Sequence, residues 1–451
     1  MKYPAYGAYR PSPFSWMDRL PQHWDAAALR WLSNRYAGGT PDKGNDAYWE
    51  DGTIPWLNSG AVNDGYITVP SELITPEGFA NSSAKWIPKG ALVMALAGQG
   101  KTKGMVAQLG IVTTCNQSMA AIIPAWRLDS RYVYWWLTAN YQNIRNLAGG
   151  EARDGLNLDL LGSIPCPIPP LAEQQTIARF LDAKTVQIDG LVAQKRQLID
   201  KLKQKRQALI ARTVTRGLPS DAAKAVGLEP NPAMTDSGVE WLGMVPASWS
   251  AKKLKRCGYL IAGAGFPHEH QGQEGEELPF YKVADLGQSA DGVTLCSCEH
   301  TVSRETAALL RAKVVPAGSI AYAKIGAALL LNRRRITTVD CCIDNNMSAF
   351  VPRSGLISTR WAYYFLSIID FSEFMNPGAI PSFSEGYQAD LPILLPPLRE
   401  QEAICTYLFA ATSEIDSMIA AAEATADRLL EYRQAVIASA VTGKIDVREP
   451  A

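Results

Sequence analysis

The segment PPLAEQQTI at Pro169–Ile177 has a second copy, PPLREQEAI, at Pro396–Ile404. The offset between the copies, 396 − 169 = 227, continues without a gap to the pair Thr215/Thr442. A repeat this long indicates an internal duplication, and a duplication sets the architecture before any single motif is considered. The chain therefore contains two related halves.

Each copy has the features of a helix start. A Pro pair is tolerated in the first helical turn, where backbone N–H groups lack partners, and the helix dipole favours a carboxylate such as Glu173 or Glu400 there. Beyond Thr185 the apolar spacing becomes heptad-like, which predicts about thirty helical residues, or roughly 45 Å. The predicted seam residues are Ile188, Leu202 and Leu209 at one heptad position, Leu191 and Leu198 at its partner position, and Ile415, Ala422, Leu429 and Val436 in the second copy.

An apolar stripe on a helix of this length requires a partner, and each copy can serve the other. The first copy is rich in Lys and Arg between Lys195 and Arg206, whereas the second is acidic between Glu414 and Glu431. We therefore expect the two helices to pack against each other in antiparallel orientation. The alternative is that each helix docks only on its own domain.

The segments that precede the two helices also match. Pro21 and Trp24 pair with Pro246 and Trp249 at an offset of 246 − 21 = 225. The predicted fold class is α+β, with two globular domains separated by two long antiparallel helices in a pseudo-two-fold tandem repeat. The predicted boundaries are 1–163 and 219–390 for the globular domains, and 164–218 and 391–451 for the central and distal helical spacers.

The composition is that of a globular protein, with 47% hydrophobic and 20% charged residues and zero formal net charge. The chain contains no run of eighteen apolar residues, so no membrane span is predicted. Its eight cysteines include no CxxC pair. A disulfide framework is not expected in a chain of this size, and we predict a reducing, cytoplasmic location.

One segment resembles a nucleotide-binding loop. Residues 95–102, ALAGQGKT, fit a loose P-loop with Ala in place of the first Gly. A working P-loop leads into a helix that holds phosphate, but Gly104 and Gly110 favour a strand here. A P-loop enzyme therefore remains an alternative, and a coiled-coil scaffold that binds DNA without sequence preference is another. We predict neither catalytic residues nor a metal site.

The repeated PPLxEQ start, the helix ends around Val214-Thr215 and Val441-Thr442, and the GVEWLGMVP segment at 238–246 resemble type I restriction–modification specificity subunits. The resemblance implies that each globular domain is a target-recognition domain that reads one half of a bipartite DNA sequence. It implies that the helices set the spacing and dock two methyltransferase subunits, with motor-nuclease subunits completing the complex. S-adenosylmethionine, ATP and Mg are then expected in those partners, and no cofactor or enzymatic activity is expected in this chain.

The residue types and the resemblance select two sets of candidate functional residues. Phosphate and base contacts favour basic and carboxamide side chains in loops, which selects as DNA-binding candidates Gln99, Lys101, Thr102, Lys103, Arg145, Arg153, Lys324, Arg333, Arg334 and Arg335. The motif residues of the two helices are the candidates for partner docking and spacing, namely Leu171, Glu173, Gln174, Ile188, Asp189, Leu398, Glu400, Gln401, Ile415 and Asp416.

Overall fold

The chain forms two compact units. The computed structural model describes residues 3–98, 100–148, 155–289, 291–296, 298–376 and 380–448. Unit 1 comprises Met1–Arg196 together with Glu423–Ala451, and unit 2 comprises Gln197–Ala422. Each unit therefore combines a globular domain with segments of both long helices.

The two units contain equivalent sets of strands. In unit 1 these are β1 (Tyr9–Pro11), β2 (Arg19–Pro21), β3 (Asp25–Ala28), β4 (Ser33–Ala37), β5 (Ile54–Leu57), β6 (Tyr66–Ile67), β7 (Glu72–Ile74), β8 (Leu92–Ala95), β9 (Val106–Leu109), β10 (Thr114–Cys115), β11 (Met119–Pro124) and β12 (Pro165–Ile168). In unit 2 they are β13 (Met234–Asp236), β14 (Met244–Pro246), β15 (Ser250–Lys253), β16 (Gly258–Ala262), β17 (Leu278–Tyr281), β18 (Thr294–Leu295), β19 (Thr301–Val302), β20 (Ile320–Ala323), β21 (Arg334–Thr337), β22 (Cys342–Ile343), β23 (Met347–Pro352) and β24 (Pro392–Leu395).

The helices follow in chain order. They are α1 (Pro76–Ala80), α2 (Ser130–Ala139), α3 (Tyr141–Asn146), α4 (Leu158–Ser163), α5 (Leu171–Arg216), α6 (Ser220–Ala225), α7 (Leu254–Cys257), α8 (Arg304–Leu309), α9 (Ala327–Leu330), α10 (Thr359–Ser367), α11 (Glu385–Asp390) and α12 (Leu398–Val441). No helix among the residues that the structure describes combines the length and apolar character needed for a bilayer span.

The sheet topology is the same in both units. Unit 1 has a five-stranded sheet of order β4-β11-β8-β9-β6, and unit 2 has β16-β23-β20-β21-β18. A three-stranded sheet accompanies each, of order β10-β5-β7 in unit 1 and β19-β17-β22 in unit 2. The duplication recognised in the helices therefore extends through the globular domains, and the predicted α+β tandem repeat is confirmed.

Both faces of each five-stranded sheet are covered. Along β8, Leu92 and Met94 join the same apolar cluster as α2, whereas Val93 and Ala95 join a second cluster on the opposite face. This division follows the two-residue period of a strand. The aromatic side chains Tyr132 and Trp136 of α2 are fully buried and belong to the first of these clusters.

The long helices are antiparallel within each unit. In unit 1, Leu181 of α5 shares the core with Val441 of α12, and Asp189 forms an ion pair with Arg433 at 2.9 Å. Residue numbers thus rise along α5 as they fall along α12. In unit 2, Leu408 shares the core with Val214, and Asp416 pairs with Arg206 at 2.9 Å.

These two ion pairs are copies of each other, since Asp416 and Arg433 lie 227 residues after Asp189 and Arg206. Arg206 with Asp416 follows the predicted pairing of a basic first helix with an acidic second helix, whereas Asp189 with Arg433 reverses it. Both pairs are partly exposed, so each contributes about 1 kcal/mol or less. Apolar burial, not charge, therefore supplies most of the stabilisation between the helices.

The heptad register differs from the prediction by one residue. Ile188 and Ile415 are buried as predicted, but Leu191 and Leu198 are 41% and 43% exposed, and Val192 and Ile199 are buried instead. Positions three and four residues apart both lie on one helix face, so spacing alone did not decide between them. The helices are also longer than predicted, with 46 residues in α5 and 44 in α12.

Candidate nucleic-acid interface

The predicted basic clusters of the two halves lie on equivalent connections. Residues 96–105 join the antiparallel strands β8 and β9, and residues 324–333 join β20 and β21. The following strands begin at Val106 and Arg334, an offset of 334 − 106 = 228. Lys101 to Lys103 and the pair Lys324 and Arg333 are therefore carried by the same loop in the two repeats, which we call the hairpin loop.

In unit 1, Lys101 is the exposed cation of the hairpin loop, Thr102 is half-buried and Lys103 is buried. Arg145 on α3 stabilises this loop through hydrogen bonds to the loop backbone. Its Nη1 donates to the carbonyl oxygens of Gly100 at 2.9 Å and Lys103 at 3.2 Å, and to the Tyr141 hydroxyl at 2.8 Å. Arg145 thus positions the loop backbone, which leaves Lys101 as the side chain best placed for a phosphate.

In unit 2 the three consecutive arginines of residues 333–335 have different environments. Arg333 is exposed, Arg334 is only 4% exposed and Arg335 is half-buried. The Arg334 guanidinium donates to the carbonyl oxygens of Asn332 at 2.8 Å and Ile369, and lies 3.9 Å from the Phe371 ring centroid. Burial lowers the pKa of Arg334 to about 9.

Arg334 therefore belongs to the core of unit 2, and its buried guanidinium is not accessible for the predicted DNA contact. Burial also lowers the pKa of Arg335, whose Nη1 donates to the Arg334 carbonyl oxygen at 2.6 Å. Lys324 is largely covered, and its Nζ lies 3.5 Å from Glu385 Oε1. Arg333 is the exposed cation of this loop. The candidates Gln99 and Arg153 lie outside the described residues.

Two further polar turns lie at the same end of each sheet as the hairpin loop. In unit 1, β4 ends opposite the start of β11, and the start of β11 lies opposite the end of β8. Residues 38–40, 96–105 and 116–118 therefore meet at one end. The register of β16, β23 and β20 brings residues 263–265, 324–333 and 344–346 together in the same way.

Exposed carboxamides in these turns, Gln117 and Asn345, were missed as DNA-contact candidates. The similar sequences Asn116-Gln117-Ser118-Met119 and Asn345-Asn346-Met347 are the signal that could have found them.

The motif residues at the start of α5 anchor the helix to its own domain. The buried Glu173 carboxylate accepts hydrogen bonds from the Tyr6 hydroxyl at 2.5 Å, the Trp24 indole at 3.0 Å and His23 Nε2 at 2.9 Å. Gln174, which is fully buried, accepts from the Asp129 amide at 2.8 Å. Its Nε2 donates to the carbonyl oxygens of Arg127 at 2.9 Å and Pro169 at 2.8 Å.

Gln401 makes the equivalent contacts in unit 2. It accepts from the Ser358 amide at 2.9 Å and donates to the carbonyl oxygens of Leu356 at 3.1 Å and Pro396 at 2.9 Å. Asp129 and Ser358 are the N-caps of α2 and α10. Gln174 therefore joins α5 to α2, and Gln401 joins α12 to α10. Glu400 is half-buried, and burial raises its pKa.

The remaining helix candidates have different exposures. Leu171 and Leu398 are 44% and 39% exposed, and both remain available to a partner. Asp189 and Asp416 form the ion pairs described above, and Ile188 and Ile415 are buried. Among the ten motif residues, Leu171 and Leu398 therefore fit a docking role best.

The structure gives no support to the P-loop alternative. In the part of the segment that is described, Lys101 and Thr102 lead through a turn into strand β9, which is antiparallel to β8. The helix whose N-terminus would hold a phosphate is not found between residues 100 and 109. Within the described ranges, no group of three His, Cys, Asp or Glu residues is arranged to hold a metal ion.

Comparisons with known proteins agree on one family. The model of the type I restriction modification DNA specificity domain matches residues 22–203. The chain is 29% identical over 185 residues to the type I restriction enzyme EcoR124I/EcoR124II specificity subunit of Escherichia coli, covering 40% of this chain and 45% of that protein. It is 23% identical over 273 residues to the StySPI specificity subunit of Salmonella potsdam, covering 59% and 55%. The matched region thus spans about half the length of these curated relatives.

Two solved structures share the fold over nearly the whole chain. A chain from a structure of complex assembly and conformational transition of the type I R-M system aligns with a TM-score of 0.71 and 18% identity, covering 94% of this chain and 99% of the other. The HsdS subunit from Thermoanaerobacter tengcongensis aligns with a TM-score of 0.53 and 18% identity, covering 96% and 99%. The fold of this chain therefore has counterparts among solved structures.

Proposed function

Since residues 22–203 match the model of the type I restriction modification DNA specificity domain, we propose that this chain is the DNA-recognition subunit of a type I restriction–modification complex. Each unit reads one half of a bipartite sequence. One observation carries this proposal: the same polar end of a five-stranded sheet is built twice, with a hairpin loop that bears an exposed Lys101 in one unit and Arg333 in the other. Two equivalent recognition domains on paired helices fit a DNA site with two separate halves.

The partners in this proposal are two methyltransferase subunits and the motor-nuclease subunits. The long helices set the distance between the half-sites and offer exposed apolar side chains such as Leu171 and Leu398 to the methyltransferases. The chain itself performs no catalysis. S-adenosylmethionine, ATP and Mg are bound by the partner subunits, and the complex acts on double-stranded DNA in the cytoplasm.

The decisive test is to map methylated bases across the genome of cells that express this chain with its cognate methyltransferase. We expect one methylated motif with two specified halves separated by unspecified bases. Cells that express the methyltransferase alone are the control and should lack the motif. A map with no new bipartite motif when both proteins are present and assembled would contradict the proposal.

Lys101→Ala should weaken DNA binding to a similar extent on all sequences, because a lysine–phosphate contact carries no base information. The plot of log affinity against log salt should lose about 0.9 of its slope, as expected for one phosphate contact. Salt titrations of DNA binding by the complex with its methyltransferase measure both effects. Lys89→Ala is the matched control, since Lys89 is exposed and precedes β8 at the opposite end of the sheet. An unchanged slope for the Lys101 variant would exclude the contact.

A further inference from the structure

The two turns that precede β11 and β23 have the same construction. In unit 1 the Ser118 amide donates to Asn116 Oδ1 at 3.1 Å, and in unit 2 the Asn346 amide donates to Asp344 Oδ1 at 2.9 Å. The residue between each pair, Gln117 or Asn345, is exposed at the tip. The two tips are equivalent, at an offset of 345 − 117 = 228, and both bear a carboxamide.

The backbone of each tip turn is held against a neighbouring glycine. A Cβ on Gly38 would lie 2.0 Å from the Cys115 carbonyl oxygen, and a Cβ on Gly263 would lie 1.8 Å from that of Asp344. The residues after these glycines complete the contact: the Gly39 amide donates to the Cys115 carbonyl oxygen at 2.8 Å. In unit 2, the Ala264 amide donates to the Ile343 carbonyl oxygen at 3.0 Å. A side chain on such a tip starts from a fixed backbone position.

The Gln117 side chain is itself oriented in unit 1. The Thr40 hydroxyl donates to Gln117 Oε1, which leaves the two N–H groups of Nε2 and a lone pair of Oε1 for a ligand. In unit 2 the residue equivalent to Thr40 is Gly265, at the offset of 225 that relates the domain starts, and Gly265 has no side chain that could hold Asn345 in this way.

The chemistry of these tips fits a base edge better than a phosphate. A carboxamide is neutral, whereas phosphate contacts at this end are available from the cations Lys101 and Arg333. A Gln or Asn side chain can form two hydrogen bonds to adenine in the major groove, donating to N7 and accepting from the N6 amino group. One carboxamide on a fixed backbone position in each unit would therefore specify one adenine in each half-site.

We propose that Gln117 and Asn345 are base-reading residues, each contacting an adenine in its own half of the recognition site, and that Thr40 is a positioning residue for Gln117. This inference rests on the proposed function and assigns specificity to one side chain in each unit. Because Gln117 and Asn345 are exposed, replacing them leaves the core of each unit unchanged.

The test compares Gln117→Ala and Asn345→Ala in the assembled complex, with competition binding to target duplexes that carry each base at each specified position. Gln117→Ala should reduce the preference for adenine at one position of one half-site by roughly tenfold to hundredfold. Asn345→Ala should do the same in the other half only. Each variant is thus a control for the other, and Gln22→Ala, which removes an exposed carboxamide elsewhere in unit 1, should leave both halves unchanged.

Thr40→Val separates positioning from a general loss of binding. It should weaken discrimination at the position affected by Gln117→Ala and at no other, and the double variant should discriminate no worse than Gln117→Ala alone. Unchanged base preference, an equal loss on all sequences, or relaxation at a position that is not adenine would each overturn the inference. The methylation map of cells with the wild-type chain tests the proposed function separately. If that map shows a bipartite motif but the variants keep the wild-type base preference, the base contacts are refuted and the proposed function stands.

Discussion

Ile437→Ala is expected to destabilise unit 1 by about 3 kcal/mol, the cost of removing a buried branched side chain and leaving a cavity. Ile437 lies near the end of α12, yet it is only 3% exposed and packs in the same cluster as Trp24 and Trp136. The predicted loss therefore affects strands that lie more than three hundred residues earlier in the sequence, such as β8.

The equivalent change in the first repeat is the matched control. Ile210, at 437 − 227 = 210, is 1% exposed and belongs to the core of unit 2 with Trp361. Ile210→Ala should therefore weaken unit 2 and spare unit 1. Hydrogen exchange followed peptide by peptide can report β8 and β11 separately from β20 and β23. Equal loss of protection in both units, or loss confined to the helix that carries the substitution, would show that the helix ends do not complete these cores.

Gln174→Leu should lower the free energy of unfolding of unit 1 by about 3 kcal/mol, because it leaves one partly buried amide, one partly buried carbonyl group and one buried carbonyl group without their hydrogen bonds. The amide belongs to Asp129, and the carbonyl groups belong to Arg127 and Pro169. Gln175→Leu is the control, since Gln175 is the exposed neighbour on the same helix and its replacement should cost less than about 0.5 kcal/mol.

Native-state hydrogen exchange of the isolated chain measures this difference, and titration with the methyltransferase tests the docking role first predicted for Gln174. If Gln174→Leu left the stability unchanged and weakened only methyltransferase binding, the anchoring role would be wrong and the docking role correct. The same comparison in unit 2 uses Gln401→Leu.

The architecture could be predicted because the internal sequence repeat reveals two related halves. A gapless offset of 227 gave the duplication, and the apolar stripes and opposite charges of the two copies led to the prediction of antiparallel pairing. The heptad register was wrong at Leu191 and Leu198 because residues three and four positions apart share a helix face, and only the facing helix selects one of them.

The interface was less accessible to sequence reasoning. Basic residues were selected by local density, and density does not distinguish Arg334, which packs on Phe371, from its exposed neighbour Arg333. The repeated motif predicts a docking role for Glu173 and Gln174, although a repeated motif is equally expected where buried hydrogen bonds anchor a helix.

The division of the chain into units also sets an order of events on the ribosome. Unit 2 is a continuous stretch, Gln197–Ala422, whereas unit 1 needs Glu423–Ala451 to complete it. Between the end of its first segment and the start of its second, 423 − 197 = 226 residues must be made, which takes roughly 10 to 50 s at typical elongation rates. The half of the protein that emerges first is therefore the last to acquire its full core, and until then its apolar surface is exposed to chaperones and to neighbouring nascent chains.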